Sequence, residues 1–133
     1  FNDGAGNSAG QVRVYKYSNS SWTKIGADID GNAAFDGSGR SVAISSDGTI
    51  VAVGAPQSSM FSSEKGFVKL YTNLSGTWTL IGQKIDGEAS GDASGSSVAI
   101  SSNGTIVGIG APANSGVNGS YSGQVRVYLN TGF

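Results

Sequence analysis

Two sets of acidic residues in related stretches are the first place to look for chemistry: Asp28, Asp30 and Asp36, echoed by Asp86, Glu88 and Asp92. Two carboxylates facing each other across a cleft serve as acid and base in glycoside hydrolysis. A catalytic pair, however, belongs to a site built once, and here Asp30-Gly31 and Asp86-Gly87 sit at equivalent positions of two related stretches. Asp30-Gly31 and Asp86-Gly87 are also ordinary turn dipeptides. Turn chemistry is therefore the first reading, a weak cation site the second and hydrolysis the third. The chain has no His and no Cys, which removes the usual general base, the thiol nucleophile and the commonest zinc ligands. No catalytic residue, cofactor or metal site is assigned, and the expectation is a protein that is not an enzyme.

Other residues suit recognition or modification. Asn19-Ser-Ser, Asn73-Leu-Ser, Asn103-Gly-Thr and Asn118-Gly-Ser are acceptor sequences for N-linked sugar. All four fall in expected turns or loops, with Asn73 and Asn118 read as the most accessible; a turn-rich chain also generates such triplets by chance. Trp22 and Trp78 occupy equivalent positions, as do Tyr15, Tyr71 and Tyr128. An aromatic on an exposed strand can stack on a sugar ring, but repeated placement points first to packing between repeats. Arg13 and Arg126 are equivalent too, and read as solvated or paired with a neighbouring strand. The glycines of Gly4–Gly10 precede a strand and not a helix, so that segment is a linker and not a phosphate cradle.

The elements that carry these residues come from an internal repeat. Ser41–Pro56 recurs as Ser97–Pro112, and Ser21–Gly31 as Thr77–Gly87, each 56 residues on. Gly10–Tyr15 appears three times, again as Gly66–Tyr71 and Gly123–Tyr128. Each repeat reads as four short strands. The first lies around Ser41–Ser45, and Asp47-Gly48 (Asn103-Gly104 in the next copy) marks a two-residue hairpin turn. Thr49–Gly54 is apolar on both faces, hence central. Gly66–Tyr71 follows, and Trp78–Ile85 forms the last strand, bulged at Gly82. The fold class is all-β, in tandem four-stranded antiparallel repeats of about 56 residues that read as propeller blades, with a β-sandwich as the alternative. Residues 1–40 hold a loop and the last two strands of a partial repeat, 41–96 a complete repeat, and 97–133 a partial repeat without its outer strand.

The stretch Phe35–Pro56 resembles the FG-GAP family of β-propeller repeats, known from integrin α-subunit heads and from secreted algal and bacterial proteins. The Gly66–Tyr71 and Trp78–Gly82 segments are similar to that family's outer strands, so the resemblance spans nearly the whole chain. Many blades of that family carry a calcium loop between the first two strands. Here the loop holds one carboxylate, Asp47, and then Asn103, too few oxygens for an ion that takes six to eight, so no calcium site is carried over.

Composition narrows the partners. The chain has 8 basic and 9 acidic residues and a net charge of −1, with no basic stripe for nucleic acid. No apolar run approaches the length that inserts into a membrane. The opening at Phe1 suits a processed or excised segment. The expectation is an extracellular or cell-surface structural module. Its partners are other copies of itself or adjacent repeats, joined by edge-strand pairing into a filament or surface layer. A fragment that binds glycans or proteins as an adhesin is the alternative.

Overall fold

The computed structural model describes residues 6–57 and 64–131. Among these residues there is no helix, and the all-β expectation holds. The N-terminal strands are β1 (Gln11–Val12), β2 (Tyr15–Ser18), β3 (Ser21–Lys24) and β4 (Ile29–Asp30). The central sheet contains β5 (Ser41–Ile44), β6 (Ile50–Ala55), β7 (Phe67–Leu74), β8 (Thr77–Leu80) and β9 (Ile85–Asp86). The C-terminal sheet contains β10 (Ser97–Ile100), β11 (Ile106–Ala111) and β12 (Gln124–Leu129). Every strand pairing is antiparallel and each sheet is open.

The apolar run Ile50–Ala55 is buried along its whole length, as a central strand requires. Its two faces enter two different cores. Val51 and Val53 meet Val12 and Ile29 of the N-terminal strands, with Val14, Tyr71 and Trp78 packed around them. Ile50 and Ala52, together with Val68, Leu70 and Ile81, meet Val107 and Ile109 of the C-terminal sheet. Alternation along β6 thus sends odd residues one way and even residues the other.

The turns differ from the sequence expectation. Asp47-Gly48 is not a two-residue turn, because only Gly48 has a positive φ, 74°. Ser45 and Ile50 close a longer loop: the Gly48 N–H donates to the Ser45 carbonyl at 2.9 Å and the Ser45 N–H to that of Ile50 at 2.9 Å. The second copy repeats this at Ser101, Gly104 and Ile106. The two-residue turns with both central residues at positive φ are instead Asn19-Ser20, joining β2 to β3, and Ser75-Gly76, joining β7 to β8. Nor do Gly31 and Gly87 act as turn glycines, since neither has a positive φ. They are needed because a Cβ at either would overlap a passing carbonyl, that of Ala9 or of Lys65.

The expected bulge is present and larger than one residue. Tyr71 pairs with Leu80 and Val68 with Ile85, so two residues of β7 face four on the outer strand, around Gly82 at φ 63°. β3 and β4 repeat the arrangement around Gly26 at φ 71°.

The Asp47 loop explains why one copy tolerates Asp where the other has Asn. Asp47 Oδ1 accepts from Ser45 Oγ (2.7 Å), Thr49 N (3.0 Å) and Thr49 Oγ1 (2.8 Å). Asn103 Oδ1 accepts from Ser101 Oγ, Thr105 N and Thr105 Oγ1 at 2.9, 3.1 and 2.7 Å. The loop needs one acceptor oxygen and not a charge. Donation from the Thr49 amide, and then from the Ser45 and Thr49 hydroxyls, holds the Asp47 carboxyl below the ordinary carboxylate range. A depressed folded pKa gives stability that is present above the unfolded value, about 4, and lost as pH falls through the folded one. Asp47→Asn is therefore expected to leave the melting temperature at pH 7 nearly unchanged and to flatten its fall below about pH 4. Thermal unfolding from pH 7 to 2 checks this; identical acid profiles for the two proteins would refute it.

Candidate functional site

The acidic residues are each occupied by a neighbour. Asp28 binds Arg13 at 3.1 Å and Lys24 at 2.7 Å, and the Lys24 contact leads in pulling its carboxyl below the usual range. Asp30 accepts from Gln11 at 2.6 Å. Asp86 pairs with Lys84 at 2.9 Å, and Glu88 takes Arg126 at 2.6 Å and Gln124 at 3.0 Å. Asp36 and Asp92 are buried structural acceptors. Asp36 takes the Asn32 and Ala33 amides and Gln57, while Asp92 takes the Ala89 amide and Asn114 Nδ2. Among the described residues no cluster of three or more Asp, Glu, His or Cys side chains is placed to hold a metal.

The four sugar-acceptor asparagines divide. Asn19, Asn103 and Asn118 are exposed, on turns or loops. Asn73 is not in a loop; it lies within β7, half-buried. Its Oδ1 accepts from the Gly76 N–H, and its Nδ2, the atom a glycan would occupy, is buried with no hydrogen-bond partner among the described residues. The strand runs three residues past the expected end at Tyr71, which carries Asn73 out of the turn.

The equivalent tryptophans have different surroundings. Trp78 packs on the core shared by β6 and the N-terminal strands, and its Nε1 donates to the Ile25 carbonyl at 2.8 Å. Trp22 is 68% exposed, beside the Tyr17 ring at 5.2 Å between centroids. Tyr15, Tyr17 and Trp22 share one face of the β2–β3 hairpin, and all three are exposed. Only Trp22 of the proposed pair is free to stack on a ligand. Trp78→Ala is expected to cost about 3 kcal/mol, and Trp22→Ala less than about 0.5 kcal/mol, in urea unfolding of the dilute chain. Equal losses would refute the assignment.

A second exposed face lies at the other end of the chain and was not singled out from the sequence. On the C-terminal sheet Val125, Val127 and Leu129 are 73, 68 and 69% exposed, and Ile106 is 45% exposed. Their counterparts Val68 and Ile50 are buried at 0 and 4%. The repeat offered the signal that these positions are apolar: Val125 and Val127 stand where Val68 and Leu70 stand. The polar links between sheets repeat as well. Lys69 donates to Asn32 Oδ1 at 2.9 Å, and Arg126 binds Glu88 in the corresponding place. Ser46 N and Oγ reach the Ser102 carbonyl at 2.9 and 3.1 Å, joining equivalent loops. What the geometry offers is therefore two unmatched sheet faces, aromatic at one end and aliphatic at the other. No protein-family model matches this chain, and no curated protein matches it.

Proposed function

We propose that the chain is an extracellular structural repeat module, of the FG-GAP β-propeller type, that assembles with other copies or with neighbouring repeats by edge-strand pairing into a filament or surface layer. One observation carries the reading. Among the described residues β7 is paired on both sides, by β6 and by β8 and β9, whereas its counterpart β12 is paired only with β11. The Asn130 N–H turns toward the Thr105 carbonyl, so by alternation the backbone groups of Val125, Val127 and Leu129 point to the open side. An unpaired ladder edge is a template for another strand. A central sheet covered on both faces suits stacked blades better than a two-layer sandwich, and exposed Asn19, Asn103 and Asn118 suit a secreted protein. The acidic residues, each tied to a structural partner, suit a structural role and not an enzymatic one.

Hydrogen exchange over a concentration series, with electron microscopy of the same samples, tests the reading. Chains or filaments should appear as the Val125, Val127 and Leu129 amides become protected. Isolated particles with unprotected β12 amides at high concentration would defeat it. The exposed Tyr17–Trp22 pair supports a second reading, a carbohydrate-binding adhesin. Titration of the Trp22 fluorescence with oligosaccharides, compared with Trp22→Ala, decides that one.

A further inference from the structure

Resting on that assembly reading, we propose that the contact between chains is face to face as well as edge to edge. The exposed aliphatic face of the C-terminal sheet docks on the exposed aromatic face of β2 and β3 in a second copy of this chain.

Two interfaces inside the molecule already show this kind of contact. In the first, Val12, Val14 and Ile29 of the N-terminal strands pack against Val51, Val53, Tyr71 and Trp78 of the central sheet. In the second, Val68, Leu70 and Ile85 of the central sheet share a core with Val107, Ile109 and Tyr128 of the C-terminal sheet. Each pair of partners is related by the repeat: Val12 becomes Val68, Val14 becomes Leu70, Ile29 becomes Ile85, Val51 becomes Val107, Val53 becomes Ile109 and Tyr71 becomes Tyr128. One interface is used twice: the Val12–Val14 face, then the Val68–Leu70 face, meets the odd-numbered face of the next central strand, Val51 and Val53 and then Val107 and Ile109.

The donor half of a third such interface, and the aromatic part of its receiver, lie in this chain at opposite ends. Val125 and Val127 are the next members of the Val12 and Val14 series, and Gly108 and Ile106 stand at the positions of buried Ala52 and Ile50. On the other side Tyr15 and Trp22 hold the positions of Tyr71 and Trp78, which pack around the core where Val12 meets Val51 and Val53. A donor face and its receiver, separated by the body of the protein, satisfy each other in a second copy. The two halves differ, so the contact is heterologous and grows by addition without requiring closure.

Gly108 is the position of choice for a block. It lies on central β11, away from the open β12 edge, and a Cβ there meets nothing within 4 Å. Gly108→Glu places a charge in the middle of the aliphatic face and leaves the edge amides intact. Trp22→Glu does the same for the aromatic face, at a residue already 68% exposed. Val125→Lys, at a 73% exposed position, is the second aliphatic block should Gly108→Glu unfold, with melting temperature as the check.

Sedimentation velocity of the whole chain is the experiment. The unaltered protein should grow in mass with concentration, and each variant alone should stay at the mass of one chain. An equal mixture of Gly108→Glu and Trp22→Glu should stop at the mass of two chains, since one intact face of each kind remains. Variants that assemble like the unaltered chain, with the β12 amides still protected, would overturn face docking and leave edge pairing standing. An unaltered chain that stays monomeric at every concentration would remove both.

Discussion

Gly54→Ala is expected to destabilise the protein by about 2–3 kcal/mol, because the added methyl has no room between the central and C-terminal sheets. A Cβ at Gly54 would overlap the Gly95 carbonyl oxygen and Ser41 Oγ, and those two groups are already joined by a 2.7 Å hydrogen bond. The Gly54 carbonyl also accepts from the Gly39 N–H at 3.0 Å, so the strand cannot slide away without losing it. Backbone on one side and a fixed hydroxyl on the other leave strain as the outcome. Gly110→Ala is the internal control. Its methyl would meet only the Ser97 side chain, whose Oγ can rotate, and its cost should stay below about 1 kcal/mol. Thermal unfolding of both variants, at about 3–5 °C per kcal/mol for a chain of this size, separates the cases. Equal melting temperatures would show that the sheets do not approach each other as described.

Asp92→Ala is expected to cost about 3 kcal/mol for a different reason. The carboxylate is 3% exposed, and its Oδ2 accepts from the Ala89 N–H at 2.9 Å and Asn114 Nδ2 at 2.7 Å. Removing it strands the Asn114 amide, itself only 4% exposed, without its acceptor. A buried polar group left unmatched costs about 1–3 kcal/mol, beyond the loss of the charge-assisted bond. Asp92→Asn keeps an acceptor oxygen and should lose about 1 kcal/mol. Asp86→Ala breaks a solvent-facing pair with Lys84 and should change stability by less than about 0.5 kcal/mol. Urea unfolding of the three variants gives the ranking. Asp92→Ala behaving like Asp86→Ala would mean the Asp92 loop is not held by its carboxylate.

These contrasts show how much of the protein is legible from its residues. The repeat, the strand order within it and the burial of Ile50–Ala55 follow from local pattern, because alternation and apolar runs are properties of neighbouring residues. The bulge near Gly82 follows for the same reason, a glycine inside an apolar strand pattern. Turn geometry was less legible. Asp-Gly and Asn-Gly are strong turn signals by composition, yet the hairpin's length depends on where the flanking strands stop pairing. The Ser45 hydroxyl, donating to Asp47 and accepting from the Ile50 N–H at 3.0 Å, fixes that point. Asn19-Ser20 forms the tight turn without a glycine, so its residues announced a turn but not one with both central residues at positive φ.

The candidate faces divide along the same line. Sequence by itself determined that Trp22 equals Trp78 and that Val125 equals Val68, since equivalence is a matter of spacing. It did not determine that one member of each pair is covered and the other bare. Only the tertiary arrangement decided that, because burial depends on which sheet lies against a face, and a sheet's neighbour is set by packing over dozens of residues. A repeated surface has the same chemistry in every copy; its exposure is decided by what stands next to it.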